Sequence, residues 1–68
     1  MTIQSAAYID YHPPQWLVEN INIVDEYEIA WLNEQRFEIA DEAIGWAPYT
    51  HIIRLIDGVH LLVQLKGA

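Results

Sequence analysis

The chain has no cysteine, which excludes a disulfide scaffold, a thiol nucleophile and a cysteine-based zinc site together. Positive charge is almost as scarce. Three Lys and Arg stand against ten Asp and Glu, for a net charge of −7. Three cations cannot neutralise a phosphate track, so direct nucleic-acid binding is not expected. Glycine and proline number three each, too few for linkers or low-complexity tracts. Gly45, Gly58 and Gly67 form no phosphate-cradling loop. A single methionine offers no adaptable Met-rich groove. No apolar run approaches the roughly 20 residues of a membrane helix. Met1–Tyr11 lacks the basic-then-apolar pattern of a secretory signal. These absences predict a soluble, cytoplasmic protein with no membrane contact.

What remains is apolar and aromatic. Of 68 residues, 53% are hydrophobic, with three Trp and four Tyr. That is enough to fold, and the expectation is one compact domain over residues 1–68. A chain this short buries only about 60% of its unfolded surface. The apolar surplus therefore implies an interface with another protein or with a second copy as a homodimer.

The charge is concentrated. Residues 1–24 carry Asp10 and Glu19, for −2. Residues 25–42 carry seven acids against Arg36, for −6, and residues 43–68 carry Asp57 against Arg54 and Lys66, for +1. Nearly all the net charge thus lies in one stretch, followed by a nearly neutral apolar tail.

The spacing predicts an α+β fold: a small single domain, mainly antiparallel sheet. Thr50–Ile56 and Val59–Leu65 flank Asp57-Gly58, which suits a two-residue type I′ turn. That register sets Ile56 against Val59, Arg54 against Leu61 and Ile52 against Val63. Its core face carries Ile52, Ile56, Val59, Leu61, Val63 and Leu65, while Ile53, Leu55 and Leu62 face the other way. A second hairpin is predicted over Tyr27–Ala40, with a loop at Asn33-Glu34-Gln35 that pairs Trp31 with Phe37 and Ile29 with Ile39. A helix through 24–44 is the alternative. It stacks Glu34, Glu38 and Glu42 at four-residue intervals, where like charges repel by about 0.2–0.5 kcal/mol per pair. Asp41–Trp46 suits a short helix capped by Asp41 and ended by Gly45. Pro13-Pro14 leads into a short N-terminal helix through Asn20. The alternation of Ile3, Ala7, Ile9 and Tyr11 permits a first strand.

Chemistry is hard to find. In the expected register His51 and His60 lie about 13 Å apart at 3.3 Å per residue, and no ligand spacing links them to His12. No metal, cofactor or catalytic residue is assigned, and an enzyme is not expected. Glu34, Glu38, Asp41 and Glu42 are close in sequence, yet acid–base work needs a desolvated cleft, for which 68 residues leave little room.

The acidic stretch has two readings. One is a solubilising face. The other is a ridge that occupies a basic groove, with Glu28, Glu34, Glu38, Asp41 and Glu42 as polar contacts and Trp31 or Trp46 as anchor. In size and charge alone the chain is similar to phage-borne inhibitors of host defence, among them anti-CRISPR proteins and nucleic-acid mimics. That likeness implies a protein partner with a basic surface and expression in a host cell. The alternative function is an assembly module, a homo-oligomer or small subunit joined through Ile53, Leu55 and Leu62 or through edge pairing of Val59–Leu65. An antitoxin or immunity protein, using the same acids against a basic toxin, is a third.

Overall fold

The computed structural model describes residues 2–11 and 18–67, apart from the Glu19 side chain. In chain order these form β1 (Thr2–Tyr11), β2 (Val18–Ile23), α1 (Glu26–Leu32), β3 (Phe37–Glu42), β4 (His51–Leu55) and β5 (His60–Lys66). The strands make one five-stranded sheet, ordered β2-β1-β5-β4-β3 and antiparallel throughout. The expected mainly antiparallel sheet is present, with one short helix among the described residues.

Both faces of this sheet are apolar, and each has its own cover. On one face Ile3, Ala6, Ile53, Leu55, Leu61 and Val63 pack with Val24 and with Leu32 of α1. On the other, Ala7, Ile9, Ile52 and Leu62 pack with Ala43, and Trp46 and Tyr49 of the β3–β4 connection lie against them. These are called the helix face and the loop face below. The strand period of two feeds both cores from the same strands: Ile52 and Ile53 are neighbours, and both are fully buried.

The C-terminal hairpin exists, but its register differs by one residue from the sequence expectation. Its loop has three residues, Ile56-Asp57-Gly58. Gly58 N donates to Leu55 O at 2.9 Å, Leu55 N donates to Val59 O at 2.8 Å, and Val59 N donates to Asp57 Oδ1 at 3.1 Å. Gly58 sits at φ +93°, the bulge position of a three-residue turn. Ile53 therefore pairs with Leu61 and Ile52 with Leu62. A one-residue slip exchanges the faces. Ile53, Leu55 and Leu62, expected to remain available to another chain, are interior, whereas Ile56 is exposed. β5 lies at the centre of the sheet, so its Val59–Leu65 edge is not open for pairing.

The predicted 27–40 hairpin is half right. Phe37–Ala40 is strand, but 26–32 is helix, and the alternative long helix through 24–44 is absent. Asp25 caps α1, its Oδ1 accepting Glu28 N at 3.0 Å, and Glu26 and Glu28 sit in the first turn, where the helix dipole favours acids. Ile29 and Leu32, three apart, turn onto the helix face of the sheet. The expected helix near 41–46 is also absent. β3 continues through Glu42, and 43–49 turns twice, with Trp46 N donating to Ala43 O and Tyr49 N to Trp46 O. Asp41 caps no helix: its Oδ2 accepts from the Tyr11 hydroxyl and its Oδ1 from Glu42 N. Of the expected N-terminal helix, 12–17 lie outside the described residues and 18–20 are strand.

The Asn33 side chain ties the end of α1 to the sheet. Asn33, the C-cap residue, accepts from Ile3 N at 2.8 Å through Oδ1 and donates to Ile3 O at 3.0 Å through Nδ2. Its amide thus pairs with Ile3 as a strand residue would. Asn33→Ala removes both bonds and is expected to cost about 1–3 kcal/mol in urea unfolding. A loss below about 0.5 kcal/mol would show that the amide does not hold the helix in place.

Candidate functional site

The outer surface of α1 is acidic and aromatic. Tyr27 and Trp31 lie four residues apart, one turn along the helix, and are 84% and 49% exposed. Acids flank them: Glu26 and Glu28 in the first turn, and Glu34 just past the C-cap. The last turn carries no basic residue. The helix is too short to turn more than one stripe inward. Ile29 and Leu32 occupy that stripe, so the aromatic pair faces solvent.

Beside this surface the Tyr8 hydroxyl donates to Glu28 Oε2 at 2.9 Å. The Glu28 hydrogen bond is the largest influence that raises the Tyr8 pKa above its ordinary value. Burial and the charges of Glu28, Asp57 and Asp25 push the same way. The phenol thus feels negative charge from both the N-terminal end of α1 and the β4–β5 turn. Sequence reasoning missed Tyr8, Asp25 and Asp57 in this grouping. An available signal was the D-x-x-E spacing of Asp25 and Glu28 ahead of apolar residues, which marks a helix start.

The five predicted acids do not form one ridge. Glu28 lies over the helix face and Glu34 follows α1. Glu38 and Asp41 belong to the loop face, since Glu38 pairs with Arg54 and Asp41 with Ile52 across β3 and β4. Glu42 pairs with His51 at the end of β3. Glu38 Oε2 accepts from Arg54 at 2.6 Å. The two side chains are 73% and 52% exposed, so this pair is worth at most about 1 kcal/mol. Trp31 remains near Glu28 and Glu34 on α1, but Trp46 packs against the opposite core and cannot share a surface with them.

The loop face has its own polar group. The Tyr11 ring lies 5.2 Å from that of His60, tilted by 41°, and its hydroxyl donates to Asp41 Oδ2 at 3.2 Å. Burial first, then Asp41, raise the Tyr11 pKa. β1 and β3 are three strand spacings apart, about 14 Å in a flat sheet, so the contact requires this face to curve inward. His60 stands across from Arg54 here, while His51 is on the helix face, so the two histidines are on opposite sides. Where β3 begins and β4 ends, Arg36, Phe37, Glu38, Arg54, Leu55 and Ile56 line a surface groove of about 670 Å³. It gathers two of the chain's three Lys and Arg.

No family model, curated protein or solved structure matches this chain. Among the described residues, no group of histidines and carboxylates is placed to hold a metal ion, and no helix is long and apolar enough to cross a membrane.

The Tyr8 shift has a pH signature. Folding tightens the hold on the phenol proton, so the stability it contributes is complete below about pH 10, the unfolded phenol range, and fades as pH rises through the folded value. Thermal melts from pH 8 to 11 should show the wild type losing stability more steeply at the alkaline end than Tyr8→Phe. Parallel curves would contradict the Tyr8–Glu28 bond.

Proposed function

We propose that this is a small, non-enzymatic binding protein whose α1 surface engages a protein with a basic groove, most simply an inhibitor of a nucleic-acid-handling protein. The observation that carries the reading is the exposed Tyr27–Trp31 pair set among acids on one helix. Two large aromatics in water are unfavourable for a lone domain but useful at an interface, where Trp and Tyr dominate the binding energy. Lys and Arg side chains bind both aromatic faces and carboxylates, so a basic partner satisfies the whole surface. Glu26, Glu28 and Glu34 supply the charge. Glu38 and Asp41 are left out, because they lie on the other face and hold Arg54 and Tyr11.

Capture from a cell lysate tests this. The immobilised protein should retain basic nucleic-acid-binding proteins at about 0.05 M salt and release them at about 0.5 M, where the Debye length is only a few ångströms. Trp31→Ala and Glu34→Lys, both at exposed positions, should each weaken retention about tenfold or more without altering the fold. Undiminished retention by both variants, or retention indifferent to salt, would refute the α1 surface.

A further inference from the structure

We propose that the outer edge of β2 pairs with β2 of a second copy of this chain, joining two sheets into one. The sheet has two edges, β2 and β3. β3 is defended: three of its six residues are acidic (Glu38, Asp41, Glu42), and a bulge interrupts it between Ile39 and Asp41. The register of β2 against β1 also shifts between Val18 and Ile21, but β2 has no such defence from Ile21 to Ile23. It holds a regular register against β1 from Ile21 to Ile23 and carries no charge, proline or glycine there.

The backbone groups are oriented for pairing. Val24 N donates to Ala6 O at 3.0 Å, so Val24 and, two residues back, Asn22 direct their N–H and C=O toward β1. By alternation Ile21 and Ile23 direct theirs outward. Their side chains lie on the loop face, across from Ile9 and Ala7. Ile23 is 81% exposed and Ile21 is 40% exposed, because the sheet stops where its apolar stripe does not.

A second copy fits this edge better than an arbitrary strand, because the edge complements itself. A two-fold antiparallel pairing centred on Asn22 sets Ile21 against Ile23 of the partner subunit, and Ile23 against Ile21 of the partner subunit. Both are the outward, bond-forming residues, so four backbone hydrogen bonds form. Four isoleucines then continue the loop-face core across the junction, and the two Asn22 side chains meet on the opposite face. Two chains of −7 repel, so contact is least opposed at a segment with few charges. In 18–24 the one charged residue is Glu19.

Edge pairing alone buries little area, which places the dissociation constant between about micromolar and millimolar. Sedimentation of the full chain from about 10 µM to 1 mM should show a concentration-dependent dimer. Its affinity should rise as salt screens the repulsion, opposite to the behaviour of the α1 surface, so the two proposals fail separately. Ile23→Lys should raise the dissociation constant about tenfold or more, while Ile39→Lys on the β3 edge leaves it unchanged. Amide exchange at Ile21 and Ile23 of the wild type should slow with concentration, and this readout needs no variant to fold. A monomer throughout, a dimer indifferent to Ile23→Lys, or exchange at those two amides independent of concentration would each overturn the proposal.

Discussion

The three-residue turn Ile56-Asp57-Gly58 decides which side chains face which way. By pairing Ile53 with Leu61 and Ile52 with Leu62, it sends Ile53, Leu55, Leu61 and Val63 to one face and Ile52 and Leu62 to the other. A sheet apolar on both sides then needs two covers. With 68 residues, only a seven-residue helix and the 43–49 connection are on hand among the described segments. Each is barely large enough, and the exposed apolar residues follow from that shortage.

The helix shows the consequence most clearly. It covers the sheet with Ile29 and Leu32 and is clamped by Asn33 to the backbone of Ile3. Its first turn is acidic, and Asp25 closes its N-terminus, which stabilises a helix too short to persist alone. The acids that make the helix viable also make its outer face negative, around an exposed aromatic pair. Structure and candidate function therefore draw on the same residues. The two sheet edges diverge in the same spirit: carboxylates and a bulge blunt β3, whereas β2 ends on isoleucines.

Much of the strand content was legible in the sequence. The alternation from Ile3 to Tyr11, the apolar runs flanking Asp57-Gly58 and the segment Phe37–Ala40 all became strands. The register was not legible, because Asp-Gly serves a two-residue turn and the end of a three-residue turn equally well. Both faces of the C-terminal hairpin are apolar, so polarity could not arbitrate between them. Residues 26–32 read as strand because Tyr27, Ile29 and Trp31 alternate with Glu28 and Ala30. The capping of Asp25 and the need to cover the helix face overrode that local pattern. The concentration of acids was plain, but their division between two faces depended on where β3 began. The β2 edge is not legible because Pro14 at a first helical position suggests a helix that runs on through 18–20.

Cross-strand proton contacts in the β4–β5 hairpin, measured by nuclear Overhauser spectroscopy, test the central claim most directly. The account predicts strong Hα–Hα contacts between Arg54 and His60 and between Ile52 and Leu62, the close, non-hydrogen-bonded pairs of this register. Strong Hα–Hα contacts joining Leu55 to His60 and Ile53 to Leu62 instead would mean a two-residue turn. They would also exchange the two faces and contradict the placement of both cores and of the helix that covers one of them.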